Sequence, residues 1–373
     1  MRVVHVAPIP FGREAVLGGG ERYPLELSRA MADAVETELV TFAAQPGSQR
    51  DPSGLRIVTL QARRWLRGDP AHPVALGLPR RVADADVVHV HQMRSLPGRV
   101  AALAARSLRR PTAVTDHGTR GGDWGGLLQR LFNRFLLVSR FSAQELRAPP
   151  GRTRIIYGGA DPARFQPDRR SRRDSFLFVG RLTPHKGIDV LLRALPPGAR
   201  LTVVGMPGYD PAPPERDYRQ MLDREADGKE VRFVGTLQDE ELAELYRHAA
   251  ALVLPSVERT CYGKPVPATE LLGLVALEAM ASGTPVVCSR AGALPEIVGD
   301  GETGLLVEPG NVEQLRERLR ELLADRALIE RLGANGRDAV LARFSWKACA
   351  QRCLEAYSEL LSGSRSKPAA SSA

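Results

Sequence analysis

Two successive series of short apolar runs, separated by stretches of helical periodicity, limit this chain to a small group of folds. In the first series, residues 2–7 (RVVHVA), 38–43, 55–60, 86–91, 112–116, 135–139 and 154–157 read as strands. In the second, residues 176–179, 201–205, 231–235, 251–255, 285–289 and 304–307 do the same. The runs are rich in apolar residues, many β-branched, and turn formers bound most of them. Helical patterns lie between most of them, as in ERYPLELSRAMAD after the first run and LVALEAMA late in the second series. Strand and helix in alternation predict parallel sheets covered on both faces. A polar, arginine-dense stretch at 161–174 (DPARFQPDRRSRRD) divides the series and reads as an interdomain linker. At 373 residues, two cores are expected rather than one. The expected fold class is therefore α/β, with two tandem Rossmann-like doubly wound domains over residues 1–165 and 166–343. A last helix is expected over 344–361 (FSWKACAQRCLEAYSELL), and 362–373 (SGSRSKPAASSA) has the composition of a disordered tail.

Charge narrows the partners. Residues 1–165 hold 24 arginines, no lysine and 14 acidic residues, so the net positive charge lies on the first half. An anionic partner (a phospholipid surface, a lipid pyrophosphate or nucleic acid) is one explanation; GC-rich coding that favours arginine is the other. Few aromatics, 5%, and the lack of a nucleic-acid-binding motif argue against nucleic acid. The basic-aromatic cluster Arg63-Arg64-Trp65-Leu66-Arg67 is of a kind that docks on anionic lipid. Four cysteines without paired metal spacing favour a reduced, cytoplasmic protein. The start, MRVVHVAPIP, does not read as a signal peptide. No run reaches the roughly 18 apolar residues of a membrane span.

Candidate chemistry collects at the carboxyl ends of strands, where open α/β sheets bind ligands. Glu270 and Glu278 stand eight residues apart in ELLGLVALE. On a helical rise that is about 12 Å, near the length of a nucleoside diphosphate carrying a hexose. One carboxylate could accept hydrogen bonds from sugar hydroxyls and the other from ribose, with the free N–H groups of the helix start facing the pyrophosphate. A capping glutamate and a solvent-facing glutamate fit the same spacing. Arg181 and Lys186 bracket the turn GRLTPHKG after a strand, which suits a diphosphate or, alternatively, two solvated cations. Gly18, Gly19 and Gly20 separate the first strand from its helix, a layout that admits phosphate but serves equally as a flexible loop. It is neither a GxGxxG fingerprint nor a Walker loop. His89, His91 and His117 fall near strand ends, where a structural hydrogen bond is the simpler role. No glutamate or cysteine stands at ligand spacing beside them, so no metal is expected.

Taken in order, these pieces form a pattern: GGGERYPLELSRAMA, DVVHVH, TDHG, VSRFSAQEL, VGRLTPHKGID, VLPS, ELLGLVALEAMASGTPVV, GALPEIVGDGETGLLVEPG and FSW. Over nearly its whole length the chain resembles the retaining glycosyltransferases of glycosyltransferase family 4. The resemblance implies the GT-B fold, with an interdomain cleft and a C-terminal helix crossing back to the first domain. It implies that Glu270 contacts the donor sugar, with the backbone of Leu272, Gly273 and Leu274 beside it, and that Glu278 holds the ribose. By the same resemblance Arg181 and Lys186 neutralise the leaving diphosphate, Gly19 and Gly20 approach it, and His117 sits beside the donor sugar on the acceptor side.

The function so implied is transfer of a hexose-type sugar from a nucleotide-diphosphate sugar, UDP favoured and GDP the alternative. The expected acceptor is a hydroxyl of a cell-envelope polysaccharide or glycolipid precursor, lipid-linked or anionic. A soluble acceptor, a natural-product aglycone or a sugar phosphate, is the second reading; a sugar-nucleotide epimerase or an inactive binding protein is the third. Neither cofactor nor metal is expected, and the location is cytoplasmic or peripheral on the inner membrane face. Two departures from the family stand out. Gly158 occupies a position where the family often has asparagine, and residues 257–269 form a long segment between VLPS and Glu270 that is either a cap over the site or a structural loop.

Overall fold

The computed structural model describes residues 1–8, 19–117, 126–168, 173–207 and 215–365. It divides into two units, Met1–Gly158 together with Trp346–Ala373, and Gly159–Ser345. Among the described residues no helix is long and apolar enough to cross a membrane.

The first unit holds β1 (Arg2–Val6), β2 (Glu36–Ala43), β3 (Gly47–Arg50), β4 (Arg56–Gln61), β5 (Arg64–Trp65) and β6 (Pro73–Val74). β7 (Val87–His91), β8 (Thr112–Thr115), β9 (Arg134–Leu137) and β10 (Thr153–Ile155) follow. Eight of them form one sheet in the order β10-β9-β8-β7-β1-β2-β4-β3, parallel except for the β3–β4 edge pair. The middle strands are apolar on both faces, as burial between two helical layers requires: Val3, Val4, Val6, Val87, Val88 and Val90 have no exposed surface. Helix α1 (Gly19–Ala32) follows β1, and α2 (Leu78–Ala83), α3 (Leu96–Ser107) and α4 (Arg140–Leu146) cover the sheet.

The second unit holds β11 (Ser175–Val179), β12 (Arg200–Val204), β13 (Val231–Val234), β14 (Ala249–Leu254), β15 (Val286–Ser289) and β16 (Gly304–Val307). They form a wholly parallel sheet in the order β13-β12-β11-β14-β15-β16. Its helices are α5 (Ile188–Ala194), α6 (Tyr218–Glu225), α7 (Asp239–His248), α8 (Leu274–Ala281), α9 (Leu294–Ile297), α10 (Val312–Ala324) and α11 (Arg326–Arg343). The last helix, α12 (Trp346–Arg365), belongs to the first unit, where it packs along α1 and buries Cys349, Cys353 and Tyr357. Strand order reverses between β1 and β7 in one sheet and between β11 and β14 in the other. These are the switch points at which doubly wound sheets bind ligands.

Three expectations need correction. The stretch 161–174 is not simply a linker: the boundary falls at Gly158, and Phe165 is buried edge-on to Tyr246 at 5.8 Å, while Arg164 pairs with Asp239 at 2.7 Å. The tail does not begin at 362, because α12 continues to Arg365. Strand β3 and the β5–β6 hairpin have no counterpart among the expected strands. Other ends move by one or two residues.

Candidate functional site

The second unit's switch point is assembled by close backbone approach. The turn after β11 ends at Gly187, whose φ of 67° is left-handed, and a Cβ there would lie 2.0 Å from the Pro255 carbonyl oxygen. Only glycine lets this turn press against the end of β14. Val257 N–H donates to the His185 carbonyl across the same gap at 2.9 Å. Glu270 is fixed from the other side. Its carbonyl accepts from Ala293 N–H at 2.9 Å, and Gly292, with φ 58°, has that oxygen 2.2 Å from where a Cβ would stand.

Between these clamps Lys186 Nζ donates to Glu270 Oε1 at 2.5 Å, and Ser256 Oγ donates to the same oxygen at 2.8 Å. Burial alone would raise the Glu270 pKa. The Lys186 ammonium, its hydrogen bond and that from Ser256 outweigh burial and hold the carboxyl below its ordinary value. Gly273, with φ 96°, is the N-cap of α8, flanked by buried Leu272 and Leu274. Along α8, Glu278 is 5% exposed and accepts from Tyr246 Oη–H at 3.1 Å. It is therefore a buried carboxylate and not a solvent-facing one, and α8 is apolar on nearly every side. Arg181 lies exposed at the start of the same turn. The hydroxyls of Thr183 and Thr269 are enclosed without a partner.

The first unit brings the other candidates together. Gly19 and Gly20 open α1, and a Cβ on Gly20 would lie 3.9 Å from His117 Cβ. His117 packs edge-on to Tyr23 at 4.8 Å between ring centres, and its Nε2 is enclosed without a partner. Burial lowers its pKa to about 4, so at neutral pH it is an uncharged hydrogen-bonding group. Gly18 and Gly118 of the quoted motifs lie outside the described residues.

Sequence reasoning missed Ser256 and His5. VLPS marked the first as a strand end, but only the fold aims its hydroxyl at Glu270. His5 faces His89 across the β1–β7 pair, which strand order alone reveals. His5, His89 and His91 offer ring nitrogens within 4.8 Å of one another, a spacing compatible with a metal ion. Those nitrogens are largely engaged already: His5 Nδ1 meets His91 Nε2 at 3.0 Å, and His89 takes Thr115 Oγ1 at 2.8 Å and Tyr357 Oη at 2.6 Å. The 257–269 segment is anchored, with Val257 in the core and Tyr262 edge-on to Tyr218 at 6.4 Å.

Two Rossmann-like parallel sheets in tandem, one carrying a lysine–glutamate pair at its switch point, define a GT-B glycosyltransferase architecture. The profile "Glycosyl transferases group 1" matches residues 160–339, and "Glycosyltransferase Family 4" matches residues 17–164. A D-inositol 3-phosphate glycosyltransferase of Catenulispora acidiphila is 30% identical over 96% of this chain and 94% of its own length. One of Corynebacterium efficiens is 37% identical over 57% of this chain, and the match spans 52% of that relative. Anabaena HepE shares the fold at a TM-score of 0.73 and 19% identity, over 96% of this chain and 99% of its own. The chain belongs to the family 4 glycosyltransferases.

Proposed function

We propose that the chain transfers a hexose-type sugar, with retention, from a nucleotide-diphosphate sugar to an acceptor hydroxyl, without a metal ion. The observation that carries this is the Lys186–Glu270 pair clamped at the β11–β14 switch point, with Glu278 buried farther along α8. An incoming diphosphate would compete with Glu270 for the Lys186 ammonium. That exchange leaves the Glu270 carboxylate free to accept from sugar hydroxyls while Lys186 and Arg181 hold the phosphates. The bond from the sugar's anomeric carbon to the diphosphate oxygen breaks with its electrons on the phosphate, where two cations offset the developing charge. The acceptor oxygen bonds to the anomeric carbon on the same face, and its proton passes to the leaving phosphate. His117, being neutral, serves as a hydrogen-bonding wall and not as a charge.

A UDP-sugar is the favoured donor, and HepE, which shares the fold, was solved with UDP and glucose. Of the two acceptor classes, the soluble one is now favoured. Relatives are named for D-inositol 3-phosphate, and Trp65 of the basic-aromatic cluster is partly buried against the first unit's core. Calorimetric titration with UDP, GDP, ADP and dTDP in metal-free buffer tests the donor reading. One nucleotide bound well above the rest supports it, and no binding to any of them removes it. Flotation with anionic liposomes tests the acceptor choice: chain that floats favours the lipid-linked acceptor.

A further inference from the structure

The Glu270 carboxylate is loaded on one oxygen only. Oε1 takes both donors, Lys186 Nζ at 2.5 Å and Ser256 Oγ at 2.8 Å. Oε2 takes none from the described residues and is not enclosed, in keeping with the 8% of Glu270 that stays exposed. A carboxylate has about four lone-pair sites, so one oxygen is held and the other is left to a ligand. The hydroxyl of Thr269, the preceding residue, gives no help: it is buried and meets no partner.

The two donors differ in what holds them. Ser256 lies just past the end of β14, and backbone contacts fix it on both sides. Before it, the Pro255 carbonyl packs against Gly187; after it, Val257 N–H donates to the His185 carbonyl at 2.9 Å. Its own carbonyl accepts from Ser289 Oγ, at the end of β15, at 2.5 Å. Ser256 and Ser289 are each buried. The serine hydroxyl stands directly on this frame, whereas Lys186 reaches Oε1 on a flexible four-carbon stem. A ligand of stronger negative charge can draw the ammonium away and cannot draw the serine. Among the described residues Lys186 is the ion-pair partner of Glu270. His185, in the same turn, favours the charged carboxyl more weakly, and the nearby Cys288 of β15 is a thiol whose pKa burial pushes up.

We propose that Ser256 is a positioning residue for sugar transfer: when the donor diphosphate takes Lys186, the Ser256 hydroxyl stays on Oε1 and fixes Oε2 for the sugar hydroxyls. The proposal rests on the transfer reading for what takes Lys186. Burial favours the protonated form of a carboxyl. Without Ser256, a Glu270 that has given up Lys186 would therefore take up a proton and lose acceptor sites to the sugar.

Carbon-13 NMR of glutamate-labelled protein tests this, the Glu270 carboxyl being the signal that Glu270→Gln removes. Without nucleotide, Ser256→Ala should raise the Glu270 pKa only slightly, because Lys186 remains. With UDP or GDP bound, whichever the protein takes, the same substitution should raise it by about one unit, the roughly tenfold worth of a hydrogen bond to a charged group. In a Lys186→Met background the rise should be as large with no nucleotide present. No rise, or a rise no larger once Lys186 is drawn off or replaced, overturns the proposal. In steady state, Ser256→Ala should lower kcat about tenfold and move its acid limb to higher pH with nucleotide affinity unchanged, and Ser256→Thr should restore both. Weaker nucleotide binding with the acid limb in place would make the serine merely structural. If Ser256→Ala does not fold, Ser256→Cys, close in size and a weak donor, replaces it. A protein that binds no nucleotide would defeat the donor reading, and the Lys186→Met comparison would still decide for or against Ser256.

Discussion

The two units share a topology and fill their switch points with opposite chemistry. The second unit places an ion pair there: Lys186 and Glu270, clamped by two left-handed glycines, with a buried Glu278 farther along α8. The first unit carries the chain's net positive charge, yet the described residues that line a small depression at its own switch point include no arginine or lysine. It builds the site from neutral imidazoles whose pKa values burial has lowered. Fixed charge suits a diphosphate, whereas a neutral imidazole offers only hydrogen bonds.

The sharpest way to break the contrast is to remove charge from the second unit. Lys186→Ala should lower turnover by about a hundredfold and leave a buried carboxylate unpaired, at a cost of about 3–5 kcal/mol. Arg181→Ala, at an exposed position, should lower turnover on a similar scale with the melting temperature unchanged. Steady-state rates beside thermal melts separate the two, and near-normal turnover in both variants would end the diphosphate assignment. Adding Glu270→Gln to Lys186→Met should restore stability without restoring turnover.

Gly292→Ala comes next. A methyl group 2.2 Å from the Glu270 carbonyl oxygen must move it, and a shift near 1 Å costs on the order of a hundredfold in kcat/KM. A variant with wild-type kinetics would show that Glu270 is not held by this contact.

Acid should undo the first unit's imidazoles. A histidine with a lowered folded pKa favours folding fully above its unfolded value, about 6.5. That contribution is lost as pH falls toward the folded values, about 3 for His5 and about 4 for His117. Calorimetric melts between pH 7 and 4 should therefore show the first unit's transition falling earlier than the second's, because Glu270, its pKa lowered, keeps its full contribution until pH falls to the ordinary carboxylate value and loses it only from there down. A flat first transition would mean that these rings keep their unfolded pKa in the folded state. Smaller effects are expected at Glu278: Glu278→Ala should weaken UDP about tenfold and Tyr246→Phe only a few-fold, the worth of one hydrogen bond. Calorimetry reads both, and unchanged affinity in Glu278→Ala would remove it from the site. Chelator should leave the rate unaltered; a loss that magnesium reverses would contradict the metal-free reading.

How much of this was legible in the chain depended on the kind of signal. The middle strands announced themselves because a parallel strand buried on both faces is an unbroken apolar run, as in RVVHV and AAALVL. Strand β3 did not, since GSQR is exposed at every position on an antiparallel edge. The stretch 161–168 looked like a linker by composition, yet Phe165, buried against Tyr246, and Arg164, paired with Asp239, tie it to the second unit. Glu270, Glu278 and Lys186 were visible through their family spacing. Their pairing was not: Lys186 and Glu270 are 84 positions apart and meet only after β11 and β14 become neighbours. Ser256 and His5 stayed hidden for the same reason.

The return of α12 to the first unit sets an order of events during synthesis. Tyr357 Oη meets His89 Nδ1 at 2.6 Å across 268 positions of chain, and Tyr23 Oη meets Cys349 Sγ at 3.2 Å across 326. A nascent chain released as far as Ser345 has every strand of both sheets, but only the second unit is complete. The first must wait with one flank of α1 bare until the ribosome delivers the last helix. The second unit is thus translated as an insertion and is free to close first, while the first closes only when the two ends of the chain meet.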